Sequence, residues 1–254
     1  FILHLSVIAA CIVAACSATK SLPDVSSQRS FLAATIPLLT STTQLLPNTT
    51  PSPQLRNRPS MLPHATATLT PTPDLYIAYT IEYLAERSYG GGTLQVEQVL
   101  TVESDFTRTL VSYPSDGLRI VGFMNSPTRI PGKMPVIIAL HGYVDRSIYD
   151  TIDYTTHYAD ELARAGFLVL HPNLRSYSPS DIGDNSFRVG MAIDVLNLAA
   201  LVREQAGKPG PLVHADPQRI GIWGHSMGGG IILRVITISP DIRAAVLYGS
   251  ASGD

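Results

Sequence analysis

Ser226 is the residue with the clearest capacity for chemistry, because it lies in the motif G-x-S-x-G formed with Gly224 and Gly228. This motif is typical of a nucleophilic serine on a sharp turn between a strand and a helix. The apolar run 219–223 predicts a buried strand before the turn, and the apolar run 230–236 predicts a helix after it. Glycines two residues before and after the serine allow strand and helix to pack closely. We therefore predict that the Ser226 hydroxyl is a nucleophile.

The rest of the second half of the chain has the pattern of an α/β sheet that could hold such a turn. Alternating runs separated by turn residues predict antiparallel strands, continuous apolar runs predict buried parallel strands, and longer periodic runs predict helices. Strands that alternate with helices favour a mostly parallel sheet with right-handed crossovers. The predicted strands are 94–102, 106–113, 118–124, 135–140, 167–170, 219–223 and 244–248, and the predicted helices include 156–165 and an amphipathic helix at 189–205.

Residues 94 to 254 resemble the prolyl oligopeptidase-like branch of the α/β-hydrolase superfamily. The resemblance implies an α/β-hydrolase fold, with a mostly parallel central sheet, helices on both faces, and an incomplete C-terminal end. It also implies a serine hydrolase without a cofactor. Four separated blocks carry it, which are YPSDGLRIVG at 113–122, PVIIALHGY at 135–143, LARAGFLVLHPNLR at 162–175 and DPQRIGIWGHS at 216–226.

The same resemblance assigns the groups that would stabilise a tetrahedral oxyanion. The backbone amide of Met227, at the predicted helix N-terminus, is one donor. Tyr143, which follows Gly142 at the end of a strand, is implied as the second. Its hydroxyl or a local backbone amide could supply the hydrogen bond. The alternative is that His141 and Tyr143 only support the loop.

The acid and the histidine of a catalytic triad are not found after the serine. In this fold they follow the nucleophile in the order acid, then histidine. All seven histidines precede Ser226, and only Asp241 and Asp254 follow it. His225 is next to the nucleophile and is predicted to point away from its hydroxyl, and Asp254 is not favoured as the acid. We therefore expect a chain cut short at its C-terminus, whose catalytic acid and histidine lie beyond it and which is inactive as given.

The N-terminal residues predict export. Residues 1–16 contain no charge and match the apolar core of a signal peptide. The ending Val13 to Cys16 resembles a lipobox, which predicts lipid attachment at Cys16 and a membrane anchor on the outer side of the membrane. Cys11 fits the same pattern, and an ordinary signal peptide or the remnant of a longer helix are alternatives. Cleavage at Cys16 would leave no cysteine pair, so we expect no disulfide.

Composition divides the remainder of the chain into three parts. Residues 17–73 are predicted to form a disordered tether rich in serine, threonine and proline. Residues 74–93 are predicted to form a helix, with proline in its first turn, and a glycine-rich linker. Residues 94–254 form the predicted hydrolase domain.

Bulk composition and residue spacing exclude several classes of partner. A net charge of −2 gives no footprint for nucleic acid. The histidines at 157, 171 and 214 lack metal-ligand spacing, so no metal and no cofactor are expected. The expected partner is a peptide or ester substrate.

Two functions and one non-catalytic alternative remain open from the sequence. The resemblance favours a serine peptidase acting through an acyl-enzyme on Ser226. The elbow His225-Ser226-Met227 is common among esterases and lipases, and the region before the domain is too short for the propeller of large oligopeptidases, so a carboxylesterase is the alternative. A non-catalytic cell-surface binding module on a hydrolase scaffold is the second alternative.

Overall fold

The computed structural model describes residues 75–129 and 131–251. The predictions for the export signal with Cys11 and Cys16, for the tether at 17–73 and for Asp254 lie outside the described residues. Within the described part of the chain, no helix is both long and apolar enough to cross a membrane.

A seven-stranded sheet forms the centre of the fold, in the strand order β1-β2-β3-β5-β4-β6-β7. The first three strands and the β3–β5 pair are antiparallel, whereas β5, β4, β6 and β7 pair in parallel. Five of the seven strands therefore run in one direction, as the sequence pattern predicts. The strands are β1 Gln95–Val102, β2 Phe106–Ser115, β3 Leu118–Pro127, β4 Met134–Leu140, β5 Leu168–Pro172, β6 Ala215–His225 and β7 Ala244–Tyr248.

Four α-helices surround this sheet. They are α1 Ile81–Glu86, α2 Thr156–Arg164, α3 Val189–Gln205 and α4 Met227–Ile238. Helix α2 buries Ala159 and Ala163 against one face of the sheet, with Phe106, Phe123 and Val169. Helices α3 and α4 contribute to the larger apolar cluster on the other face. The prediction of helices on both faces is confirmed.

Two details of the predicted helices are wrong. The single helix expected from Asp74 is a 3-10 turn, Ile77–Tyr79, followed by the short helix α1. Thr80 is extended at this junction and caps α1, because its hydroxyl oxygen accepts a hydrogen bond from the Tyr83 amide at 3.3 Å. Helix α3 is not amphipathic, since nearly all of its residues up to Val202 are buried. It packs against the sheet, α4 and Leu84 of α1, so almost no polar face is exposed.

A buried ion pair joins α3 to the segment that follows β5. The guanidinium Nη2 of Arg175 lies 2.8 Å from Oδ1 of Asp194, and these side chains are 7% and 0% exposed. The Arg175 amide also donates to Asp194 Oδ2 at 2.9 Å, and the Ser115 hydroxyl donates to Oδ1 at 2.7 Å. Burial raises the pKa of Asp194, while the hydrogen bonds from Arg175 oppose that effect. Arg175 therefore holds the segment after β5 in place.

Candidate active site

Ser226 occupies the turn between β6, which ends at His225, and α4, which begins at Met227. Its backbone has φ 51° and ψ −112°, a conformation that a residue with a side chain rarely adopts. Such strain persists only where the surrounding structure enforces it. The predicted strand, turn and helix around the serine are therefore confirmed.

The glycines beside Ser226 are required by close backbone contacts. A Cβ atom on Gly224 would lie 2.7 Å from the carbonyl carbon of Gly228. A Cβ atom on Gly228 would lie 2.7 Å from the carbonyl oxygen of Leu140 and 2.8 Å from that of His141. Since these neighbours are backbone atoms, they cannot move aside as a flexible side chain would. The two glycines thus let α4 start directly against the ends of β4 and β6.

Strand β7 and the residues after it brace the turn from the other side. The Ser226 amide donates to the carbonyl oxygen of Tyr248 at 3.0 Å. The Ser226 carbonyl oxygen accepts from the amides of Gly230 at 3.2 Å and Ala251 at 3.1 Å. The backbone of the serine is thereby held by hydrogen bonds with both β7 and the segment after it.

The loop after β4 lies directly beside the serine. A Cβ atom on Gly142 would be 3.4 Å from Cβ of Ser226 and 2.8 Å from Nδ1 of His225. This contact brings the backbone of Tyr143 next to the nucleophile. The Tyr143 side chain is 70% exposed. Among the described residues, no acceptor is hydrogen-bonded to the amide of Tyr143 or of Met227. The Tyr143 amide is thus available as an oxyanion donor, and so is its exposed hydroxyl.

An aromatic cluster behind this loop was not predicted from the sequence. The rings of His141, Tyr149 and Tyr177 lie 4.6 to 4.9 Å apart. The Tyr149 hydroxyl donates to Oδ1 of Asn173 at 3.2 Å, and the Asn173 carbonyl oxygen lies 3.0 Å from Nε2 of His141. His141 is fully buried, so it supports the loop and does not face a substrate. No periodicity or motif in the sequence indicates this cluster.

Tyr177 connects the cluster to the nucleophilic turn. Its hydroxyl lies 3.9 Å from the sulfur atom of Met227, the residue after the serine. Burial raises the pKa of the Tyr177 hydroxyl, while a hydrogen bond from the Val144 amide and the nearby cation of Arg146 lower it. Tyr177 therefore packs between the loop after β4 and the start of α4, where it can fix the distance between the two candidate oxyanion donors.

Among the described residues, no side chain forms a hydrogen bond with Oγ of Ser226. The ring of His225 lies against Gly142 and, at 5.4 Å between centroids, Tyr248. Asp241 forms an ion pair with Arg203 on α3. The part of the chain that the structure describes also contains no group of three or more histidine, cysteine or acidic residues that could hold a metal ion.

Two buried histidines predict that the fold loses stability in acid. His141 and His171 are stacked, with ring centroids 5.7 Å apart, and His171 also stacks on Phe123 at 4.6 Å. Burial lowers the pKa of both, and the neighbouring His141 lowers that of His171 further. Both are therefore neutral in the folded protein, whereas the unfolded chain takes up protons below about pH 6.5.

The free energy of unfolding should consequently be highest above about pH 6.5 and fall as the pH decreases, by at most ~1.4 kcal/mol per pH unit for each histidine. Urea unfolding between pH 7.5 and 5 measures this slope. His171→Leu should reduce the slope. His214→Gln, which removes an exposed histidine, should retain it. An equal slope in the parent protein and both variants would show that His171 does not cause the pH dependence of stability.

A family model described as "alpha/beta hydrolase fold" matches residues 135–253, which include the loop after β4 and the turn at Ser226. No curated protein matches the chain.

Several solved structures are similar to the chain, all at low identity. Acetyl xylan esterase 1 from Thermoanaerobacterium is 22% identical, with a TM-score of 0.48 over 62% of this chain and 53% of that chain. An acylaminoacyl peptidase from Pyrococcus horikoshii is 21% identical, with a TM-score of 0.45 over 60% of this chain and 26% of that chain. A putative dienelactone hydrolase from Klebsiella pneumoniae is 19% identical, with a TM-score of 0.43 over 57% and 60%. The chain spans about half the length of the first structures that it matches.

Proposed function

Because residues 135–253 have the α/β-hydrolase fold, we propose that this protein is a serine hydrolase in which Ser226 attacks the carbonyl carbon of a peptide or an ester. The observation that carries the proposal is the strained backbone of Ser226 on the turn between β6 and α4. Glycine would be less strained at this position, and nothing else in the turn explains why a serine occupies it.

The proposed reaction proceeds through an acyl-enzyme. Oγ of Ser226 forms a bond to the carbonyl carbon while its proton passes to a base. The oxyanion accepts hydrogen bonds from the amides of Met227 and Tyr143. The bond to the leaving group then breaks, the leaving group takes the proton, and water releases the acyl group by the reverse sequence. We propose that the base is a histidine outside the described residues, oriented by an acid.

The resemblance of the four sequence blocks favours a prolyl oligopeptidase-like serine peptidase. The His225-Ser226-Met227 elbow favours a carboxylesterase instead. Both reactions share the acyl-enzyme, so the serine and the two amides serve either one. A non-catalytic surface module is the remaining alternative.

For location, we propose export with lipid attachment at Cys16, supported by the apolar run that ends there.

A panel of chromogenic substrates tests this function. The full-length protein should hydrolyse 4-nitrophenyl esters, peptidyl 4-nitroanilides or both, and Ser226→Ala measured in parallel provides the blank. Turnover of anilides identifies a peptidase, and turnover of esters alone identifies an esterase. Failure of folded full-length protein to hydrolyse either substrate class would favour the non-catalytic alternative.

Tyr143→Phe distinguishes the two candidate oxyanion donors. The variant removes the exposed hydroxyl and keeps the amide, so we expect kcat to change by less than about threefold, whereas loss of a true oxyanion donor costs about 10²–10³-fold. The measurement is kcat on the best substrate of the panel. Tyr154→Phe, another exposed tyrosine near this end of the sheet, is the matched control. A loss of 100-fold or more confined to Tyr143→Phe would assign the role to the hydroxyl.

A further inference from the structure

An exposed arginine that has no ion-pair partner among the described residues lies on the loop after β4, whose residue Gly142 borders the nucleophilic turn. Arg146 is exposed on the loop after β4, and its guanidinium carbon is 5.6 Å from the ring centroid of Tyr177. Tyr177 in turn contacts the sulfur of Met227, the residue after Ser226. Arg146 is therefore linked through the ring of Tyr177 to Met227, the residue that follows the candidate nucleophile.

The carboxylates nearest to Arg146 in the chain are engaged elsewhere. Oδ1 of Asp145 accepts hydrogen bonds from the amide of Ser147 at 2.8 Å and from its hydroxyl at 2.6 Å. Oδ1 of Asp150 accepts from the amide of Ile152 at 2.9 Å. In the described part of the chain, Arg146 forms an ion pair with no carboxylate.

The packing of Arg146 also suits recognition of an anion. The cation–π contact with Tyr177 favours an ordered guanidinium, and an ordered group loses less conformational entropy when it binds a ligand. Its planar set of N–H donors matches the two oxygens of a carboxylate. Arg175, on the segment after β5, does not have this combination, since it is buried and paired with Asp194.

We propose that Arg146 binds a carboxylate on the substrate, so that the protein prefers esters or amides that carry a negative charge close to the scissile bond. This inference rests on the proposed function, because it names the substrate class of the same site. It makes Arg146 a specificity-determining residue, which acts on binding and takes no part in the transfer of protons.

The test compares substrates that differ only in charge. Mono-4-nitrophenyl adipate and 4-nitrophenyl hexanoate share a six-carbon acyl chain, and 4-hexanoyloxybenzoate and its methyl ester place the charge on the leaving group instead. The measured quantity is the ratio of kcat/KM for the charged substrate to kcat/KM for the neutral one, with the full-length protein. Arg146→Gln should lower this ratio by about 3–30-fold for at least one pair, a range between that of an exposed ion pair and that of a hydrogen bond to a charged group. The ratio of the parent protein should also fall with added salt.

Arg243→Gln is the matched control, because Arg243 is exposed at the opposite end of the sheet, before β7. It makes the same change in net charge and should leave both ratios unaltered. If Arg146→Gln leaves both ratios within twofold of the parent, or if Arg243→Gln lowers them equally, the inference is overturned. Failure of the proposed function is distinguishable, since the Ser226→Ala variant would then hydrolyse the neutral esters as fast as the parent protein.

Discussion

Ser226→Ala is expected to lower kcat/KM of the full-length protein by at least about 10³-fold on any ester or peptide that it hydrolyses. The substitution removes the oxygen that forms the acyl-enzyme, and removal of a nucleophilic serine in comparable enzymes costs more than this factor. The backbone amides of Met227 and Tyr143 would remain, so a small residual rate is compatible with the account. Steady-state rates on the best substrate measure the effect.

Ser104→Ala is the matched control for this prediction. Ser104 is exposed in the turn between β1 and β2, and its carbonyl, not its hydroxyl, makes the hydrogen bond seen there. Its loss should change the rate by less than twofold. Both variants should keep the circular dichroism spectrum and melting temperature of the parent protein to within a few degrees. A folded Ser226→Ala variant with more than a tenth of the parent rate would contradict the proposed nucleophile.

Asp194→Ala is expected to destabilise the fold by about 3–5 kcal/mol, because it leaves the Arg175 guanidinium buried without a counter-charge. Removing the carboxylate also takes the acceptor from the Ser115 hydroxyl and the Arg175 amide. Urea unfolding at pH 7 measures the change. Since Arg175 begins the segment that carries Tyr177 to Met227, the same variant should also loosen the wall of the active site.

Two further variants show whether loss of the Arg175–Asp194 ion pair itself causes the destabilisation. Arg175→Ala combined with Asp194→Ala should be less destabilising than the sum of the single changes, because no unpaired charge remains. Glu161→Ala breaks the exposed ion pair with Arg164 on α2 and should cost about 0.5 kcal/mol or less. A cost below about 1 kcal/mol for Asp194→Ala would mean that water reaches the Arg175 side chain and replaces the carboxylate.

The sequence predicts the fold well where local pattern and burial agree. Helix α3 begins and ends at the predicted residues, and so does β7. Strands β4 and β5 were predicted as buried on both faces because their apolar runs are continuous, and the parallel pairing confirms this. Boundaries differ mainly where a strand extends into a polar stretch, as β6 does at its start at Ala215.

The errors in the helices have a physical reason in each case. An apolar stripe at 77, 81 and 84 suggested one helix, but the Thr80 hydroxyl competes for the Tyr83 amide and starts a new one. In α3, the near-continuous apolar run from Val195 to Val202 is typical of a helix that is buried on all sides. The few polar residues of α3 do not form an exposed face, so the prediction of an amphipathic helix is wrong.

The turn at Ser226 could be predicted because its glycines lie within two residues of the serine. The side chains that pack around the turn come from distant parts of the chain. Tyr177, which packs against Met227, comes from a different loop, 50 positions earlier. Arg175 and Asp194 are 19 residues apart, and no motif joins them. Such contacts follow from the order of strands in the sheet, which the sequence pattern leaves open.

Labelling with a fluorophosphonate, followed by tryptic digestion and mass spectrometry, shows directly whether Ser226 is the nucleophile. Trypsin should release the peptide from Ile220 to Arg234, in which Ser226 is the only hydroxyl-bearing residue. We predict that the full-length protein carries one phosphonyl adduct on this peptide at Ser226, and that Ser226→Ala carries none. Labelling at another serine, with this peptide unmodified and the protein folded, would contradict the assignment of Ser226 as the nucleophile.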